Sequence, residues 1–113
     1  MPIIDTHAHI DQVPDLEGAL KRAEGAGVSD IVAVSVDLAS MRKIAGIARA
    51  HVRPRIHPAF GIHPGNIKPE ESAQAEEFLR AHLKDAIAIG ETGLDYQYKW
   101  VRKDEIERNK QKI

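Results

Sequence analysis

Short apolar runs of strand length alternate along this chain with segments whose apolar residues recur at helical spacing, the pattern of repeated βα units around a parallel sheet. Four units are legible. The first strand is the run Pro2 to Thr6, and the helix after it carries Leu16, Ala19, Leu20 and Ala23 at i, i+3, i+4, i+7, with Gly25 and Gly27 as stop signals. The second strand is Asp30 to Val36; Asp37 then caps a helix that shows Met41, Ile44, Ala45 and Ala48 on one face. Arg55 to Phe60 forms the third strand. Pro69 at a first helical position, with Glu70 and Glu71 near the positive end of the helix dipole, opens a third helix that buries Ala75, Phe78, Leu79 and Leu83. The fourth strand is Ala86 to Gly90, followed by a charged helix from Arg102 to Lys112 with only Ile106 and Ile113 as apolar anchors.

Four such units make an α/β arc and not a closed ring, since a (β/α)8 barrel needs eight strands and about 250 residues. The first and fourth strands are then expected to be open edges, a state that proteins avoid by pairing or covering them. Either more chain or a second copy is implied. Nothing in the sequence resembles an interdomain linker, so residues 1–113 read as one continuous portion of such a barrel.

The formal net charge of −1 gives no broad attraction for a polyanion, so a nucleic acid would have to be held by local groups or metals. With no cysteine, disulfides and thiolate metal sites are excluded. The start Met1-Pro2-Ile3-Ile4-Asp5 lacks the features of a signal peptide, and no apolar run reaches the roughly 18 residues of a membrane span. No membrane partner and a cytoplasmic location are expected.

His7 and His9 stand two apart at the end of the first strand, where a period of two sends both imidazoles to one side. In a βα barrel the C-terminal strand ends form the catalytic face, so this pair is placed to hold a metal. Asp5, on the same side by spacing, is a candidate to hydrogen-bond one imidazole. Glu91 follows the fourth strand and reaches the same rim if the strands are parallel. Two hard cations about 3.5 to 4 Å apart need an anionic oxygen ligand between them, and a glutamate offers two oxygens.

Three stretches, Ile4-Asp5-Thr6-His7-Ala8-His9-Ile10-Asp11, Ala59-Phe60-Gly61-Ile62-His63-Pro64 and Ile89-Gly90-Glu91-Thr92-Gly93-Leu94-Asp95-Tyr96, together resemble the TatD family of metal-dependent deoxyribonucleases. The resemblance runs to about Trp100. It implies the N-terminal half of a (β/α)8 TIM barrel and a hydrolase that cleaves DNA, or another phosphodiester substrate, through a water activated by two metals. The divalent ions (magnesium, zinc or manganese) would number one or two. By that analogy His7 and His9 hold one metal, Glu91 is a catalytic ligand bridging to the next, and His63 contacts substrate.

A competing reading gives His63 to a tight turn shaped by Gly61, Pro64 and Gly65, with the imidazole as a capping donor. Asp95 could hydrogen-bond a metal ligand, but in a glycine-flanked loop an aspartate is more often a turn former. Tyr96, Tyr98 and Trp100 alternate on a loop at the barrel mouth, where they can stack on bases or cover the opening. His57 reads as a hydrogen-bonded strand residue; His51 and His82 lie on helices, and Arg42, Lys43, Arg49, Arg53 and Arg55 as solvated charge.

The family pattern also supplies two further histidines and a late aspartate from strands beyond the fourth, and these 113 residues contain none of them. By that pattern the chain alone is incomplete for catalysis. Two alternatives stand beside the nuclease: an amidohydrolase-like enzyme cleaving a C–N bond, which commonly has a carboxylated lysine where Glu91 stands, and a non-catalytic half-barrel that self-associates through its open edges.

Overall fold

The computed structural model describes residues 1–95. Its elements run β1 (Ile3–Ala8), α1 (Leu16–Gly25), β2 (Val28–Val34), α2 (Leu38–Ala50), β3 (Arg55–Phe60), α3 (Ser72–His82) and β4 (Ala88–Ile89). The sheet order is β1-β2-β3-β4, with every neighbouring pair parallel. Consecutive parallel strands joined through helices form the expected open arc.

The helices pack on one face of that arc. Ile31 and Ala33 of β2 and Ile56 and Phe60 of β3, at alternate positions, are buried against Leu38, Met41 and Ile44 of α2 and Ala75 of α3. Phe60 meets Phe78 edge to face, ring centroids 5.4 Å apart. By the same alternation Asp30 and Val32 of β2 and Arg55 and His57 of β3 share the opposite face. Among the described residues β1 and β4 have one strand neighbour each, and Ile3, Ile4, Ile87 and Ile89 are half exposed.

Several boundaries differ from the sequence expectation, each for a local reason. β1 runs on to Ala8, so His7 lies within it. β2 starts two residues early because Gly27, at φ 93°, reverses the chain straight after the end of α1. It also ends two residues early. The Val36 and Asp37 amides turn away to the Ser40 hydroxyl (2.8 and 2.9 Å), while the Asp37 carboxylate accepts from the Ser40 amide at 2.8 Å, closing a capping box at the start of α2. Pro69 opens a 3-10 turn, Pro69–Glu71, and the α-helix proper begins at Ser72. Leu83 falls beyond that helix and is exposed, contrary to its expected burial. β4 is cut to two residues, which pair with Ala59 and Phe60. The helix expected over 102–112 lies outside the described residues, as do Tyr96, Tyr98 and Trp100. Among the described residues no helix is long and apolar enough to cross a membrane.

Candidate metal centre

The pairing of β1 with β2 slips between Asp5 and Ala8: three steps along β1 match two along β2, from Ile31 to Ala33. The irregularity falls where the histidines are, as bulges often do beside functional sites. The two imidazoles nonetheless fall on one side, as their spacing predicts. His7 projects from the end of β1 and His9 from the first residue past it, and their Nε2 atoms stand 3.4 Å apart with the rings nearly perpendicular, at 79°.

Glu91 arrives from the far side of the sheet. Its Oε1 lies 3.4 Å from His7 Nε2 and its Oε2 3.9 Å from His9 Nε2. One donor atom from each of His7, His9 and Glu91 lies within 4.8 Å of the others. A cation held at about 2.0–2.2 Å by nitrogen and carboxylate ligands sets its donors roughly 3–3.5 Å apart, so this spacing suits a shared ion after small side-chain shifts. Two imidazoles and one carboxylate are a donor set that zinc, manganese and similar divalent ions accept.

The tautomer of His9 follows from its neighbour. Its Nδ1 lies 2.9 Å from the Val34 carbonyl, which can only accept, so Nδ1 carries the proton and Nε2 keeps a lone pair toward Glu91. Asp5 does not have the role expected of it: its Oδ1 accepts from the His7 backbone amide at 3.1 Å, fixing the strand end and not an imidazole. The Lys43 ammonium donates to the Asp11 carbonyl, tying α2 to the turn just past His9.

Glu91 is set by backbone contacts that sequence reasoning did not find. Gly90 donates to the Phe60 carbonyl at 3.0 Å and Glu91 to the Ser35 carbonyl at 3.4 Å. A Cβ placed on Gly61 would stand 2.6 Å from the Gly90 carbonyl carbon, so only glycine fits beneath this peptide. The available signal was a glycine directly after a strand.

His63 is outside the three-residue cluster, on the loop after β3. Its amide donates to the Val36 carbonyl at 2.9 Å, and its Nδ1 accepts from the Gly65 amide at 3.0 Å. The imidazole thus caps the turn as an acceptor, where a capping donor was anticipated. Asp95 is the last described residue, in the loop after β4. His57 is hydrogen-bonded within the sheet as expected, with Nε2 2.7 Å from Asp30 Oδ1. His82 closes α3, its Nδ1 3.0 Å from the Phe78 carbonyl. His51, expected on a helix, lies just past the end of α2 in extended conformation, 3.4 Å from Glu17.

Residues 4–112 match the family model described as TatD related DNase. An uncharacterized metal-dependent hydrolase of Buchnera aphidicola is 31% identical over 111 residues, which cover 87% of this chain and 41% of that protein. A putative deoxyribonuclease of Danio rerio is 31% identical over 104 residues, covering 82% of this chain and 39% of that one. Among solved structures, the TatD homolog YjjV of Escherichia coli superposes with a TM-score of 0.78 at 28% identity, over 96% of this chain and 42% of that one. The chain therefore spans about two fifths of the length of these relatives, and its parallel arc has the fold of the N-terminal half of a (β/α)8 barrel.

Proposed function

The chain belongs to the TatD family, and on that premise we propose that it provides the first metal-holding half of a hydrolase that cleaves phosphodiester bonds in DNA. The observation that carries this reading is the convergence of His7, His9 and Glu91 from opposite edges of the sheet on one point of its C-terminal rim. The glutamate fits a nuclease of this kind better than a C–N hydrolase, which would call for a lysine at that strand.

In this reading His9, oriented by the Val34 carbonyl, and His7 would hold a divalent cation, and Glu91 would add the negative charge. By the family resemblance Glu91 would also serve a second cation, whose other ligands would come from strands beyond these four. A cation so held supplies Lewis-acid polarisation of a phosphoryl oxygen or a water. All three side chains are partly exposed, which leaves room for substrate on the open side of the rim. His63, whose Nδ1 accepts from the Gly65 amide, has in this reading the substrate-contacting role that the family resemblance implies.

The test is hydrolysis of a single-stranded oligonucleotide by a protein that has these residues as the first half of a complete barrel, with manganese supplied. Cleavage is expected to stop on chelation and to fall by about 100-fold or more in Glu91→Ala, the order of loss seen when a group stabilising transition-state charge is removed. An undiminished rate in that variant contradicts the assignment. The half-exposed isoleucines of β1 and β4 favour a covering element at both edges, which a second copy would provide if no further strands do. Sedimentation of the 113-residue chain distinguishes a dimer from a monomer.

A further inference from the structure

Glu91 does not follow a long, well-paired strand, since β4 has only two residues, and something else must fix its backbone. The fixing group lies at the end of β2. Ser35 has no exposed surface, and every polar atom it has is used. Its amide donates to the Ala59 carbonyl at 3.1 Å, and its carbonyl accepts from the Glu91 amide at 3.4 Å. Its hydroxyl accepts from the Gly61 amide at 2.9 Å and donates toward the Gly61 carbonyl at 2.9 Å, with the Ala59 carbonyl at 3.3 Å. Both polar groups of Gly61 are thus held by one buried side chain.

Gly61 is in turn the residue on which the Gly90–Glu91 peptide rests, with no space for a Cβ between them. The residue before Ser35 holds the other side of the site, since the Val34 carbonyl orients His9. We infer that Ser35, acting with Gly61, is a positioning residue of the metal centre: the end of β2 sets His9 through Val34 and Glu91 through Ser35 and Gly61, fixing the span between ligands from the two edge strands. This inference rests on the metal-binding reading above.

A buried hydroxyl satisfied only by backbone groups would ordinarily be assigned to stability alone, and the experiment must separate the two roles. The full chain is titrated with Co2+ while its visible absorption is recorded, and melting temperature is measured alongside. Ser35→Ala is expected to weaken Co2+ binding roughly 10- to 100-fold, the range for losing a group that orients a metal ligand, and to change the absorption bands. Ser35→Cys, a residue of similar size with a weaker donor and acceptor, should fall between Ser35→Ala and the parent. Gly61→Ala should weaken binding at least as much as Ser35→Ala. Ile44→Val, which trims the buried face of α2, serves as a destabilised control and should bind as the parent does. If Ser35→Ala binds Co2+ with parental affinity and spectrum while His9→Ala does not, the positioning role is wrong and the metal site stands. If the parent itself binds no better than His9→Ala, the metal site is wrong and the inference goes with it.

Discussion

The two ends of the sheet treat their polar groups in opposite ways. Toward the N-terminal end, Asp30 is almost wholly buried and its carboxylate is surrounded by partners: Arg55 at 2.8 Å, His57 at 2.7 Å and the Ser29 hydroxyl at 2.7 Å. The His57 contact first, then Ser29 and Arg55, hold its pKa well below the usual carboxylate range. At the C-terminal end, two imidazoles and a carboxylate are drawn together by the backbone, and among the described residues no lysine or arginine is ion-paired with Glu91. One cluster pairs its charge within the protein; the other sets a carboxylate against two imidazoles, the arrangement on which the proposed metal site rests. An open cleft lined by Glu24, Val28, Ser29, Val52 and Pro54 also lies at the N-terminal end, away from His7, His9 and Glu91. None of the three proposed ligands lines that cleft.

The largest effect expected from this contrast is on metal binding. His9→Ala or Glu91→Ala should lower divalent-cation affinity by more than the roughly 10- to 100-fold that loss of an outer-shell partner costs, while leaving the melting temperature unchanged or slightly raised. Calorimetric titration with Mn2+ and thermal melts in chelator check both halves of that statement.

Asp30→Asn should do the reverse, lowering the melting temperature by several degrees with Mn2+ affinity unchanged. Because the folded pKa of Asp30 is depressed, its contribution is full above the ordinary carboxylate value of 3.8 and is lost only as pH falls through the lower folded value. The gap between parent and Asp30→Asn should therefore persist at about pH 5 and be lost only as pH falls below 3.8 toward the lower folded value. A gap that closes already at pH 6 would assign the effect to another group.

The fold was largely legible because strand and helix periods are written in apolar spacing, as in the Met41, Ile44 and Ala45 stripe that α2 does bury. Strand ends were less so. They are decided by which groups claim the last amides, as Ser40 claims those of Val36 and Asp37, and periodicity does not record such competition. The three converging side chains were individually visible from residue type and position. What holds them was not: a carbonyl has no signature in sequence, and Ser35 reads as one more small polar residue until Gly61 and Glu91 are seen around it.

The smallest effect is the control for both ends. Asp37→Ala removes the N-cap of α2 and should cost about 1 kcal/mol, within the 0.5–2 kcal/mol range for such caps, without altering Mn2+ affinity or the pH dependence assigned to Asp30.

The most direct measurement is anomalous diffraction from crystals of the chain grown with Zn2+. A single strong peak is predicted at about 2.0–2.2 Å from His7 Nε2, His9 Nε2 and a Glu91 oxygen. Zinc bound elsewhere with this rim empty, or Glu91 turned away from both histidines, would contradict the account.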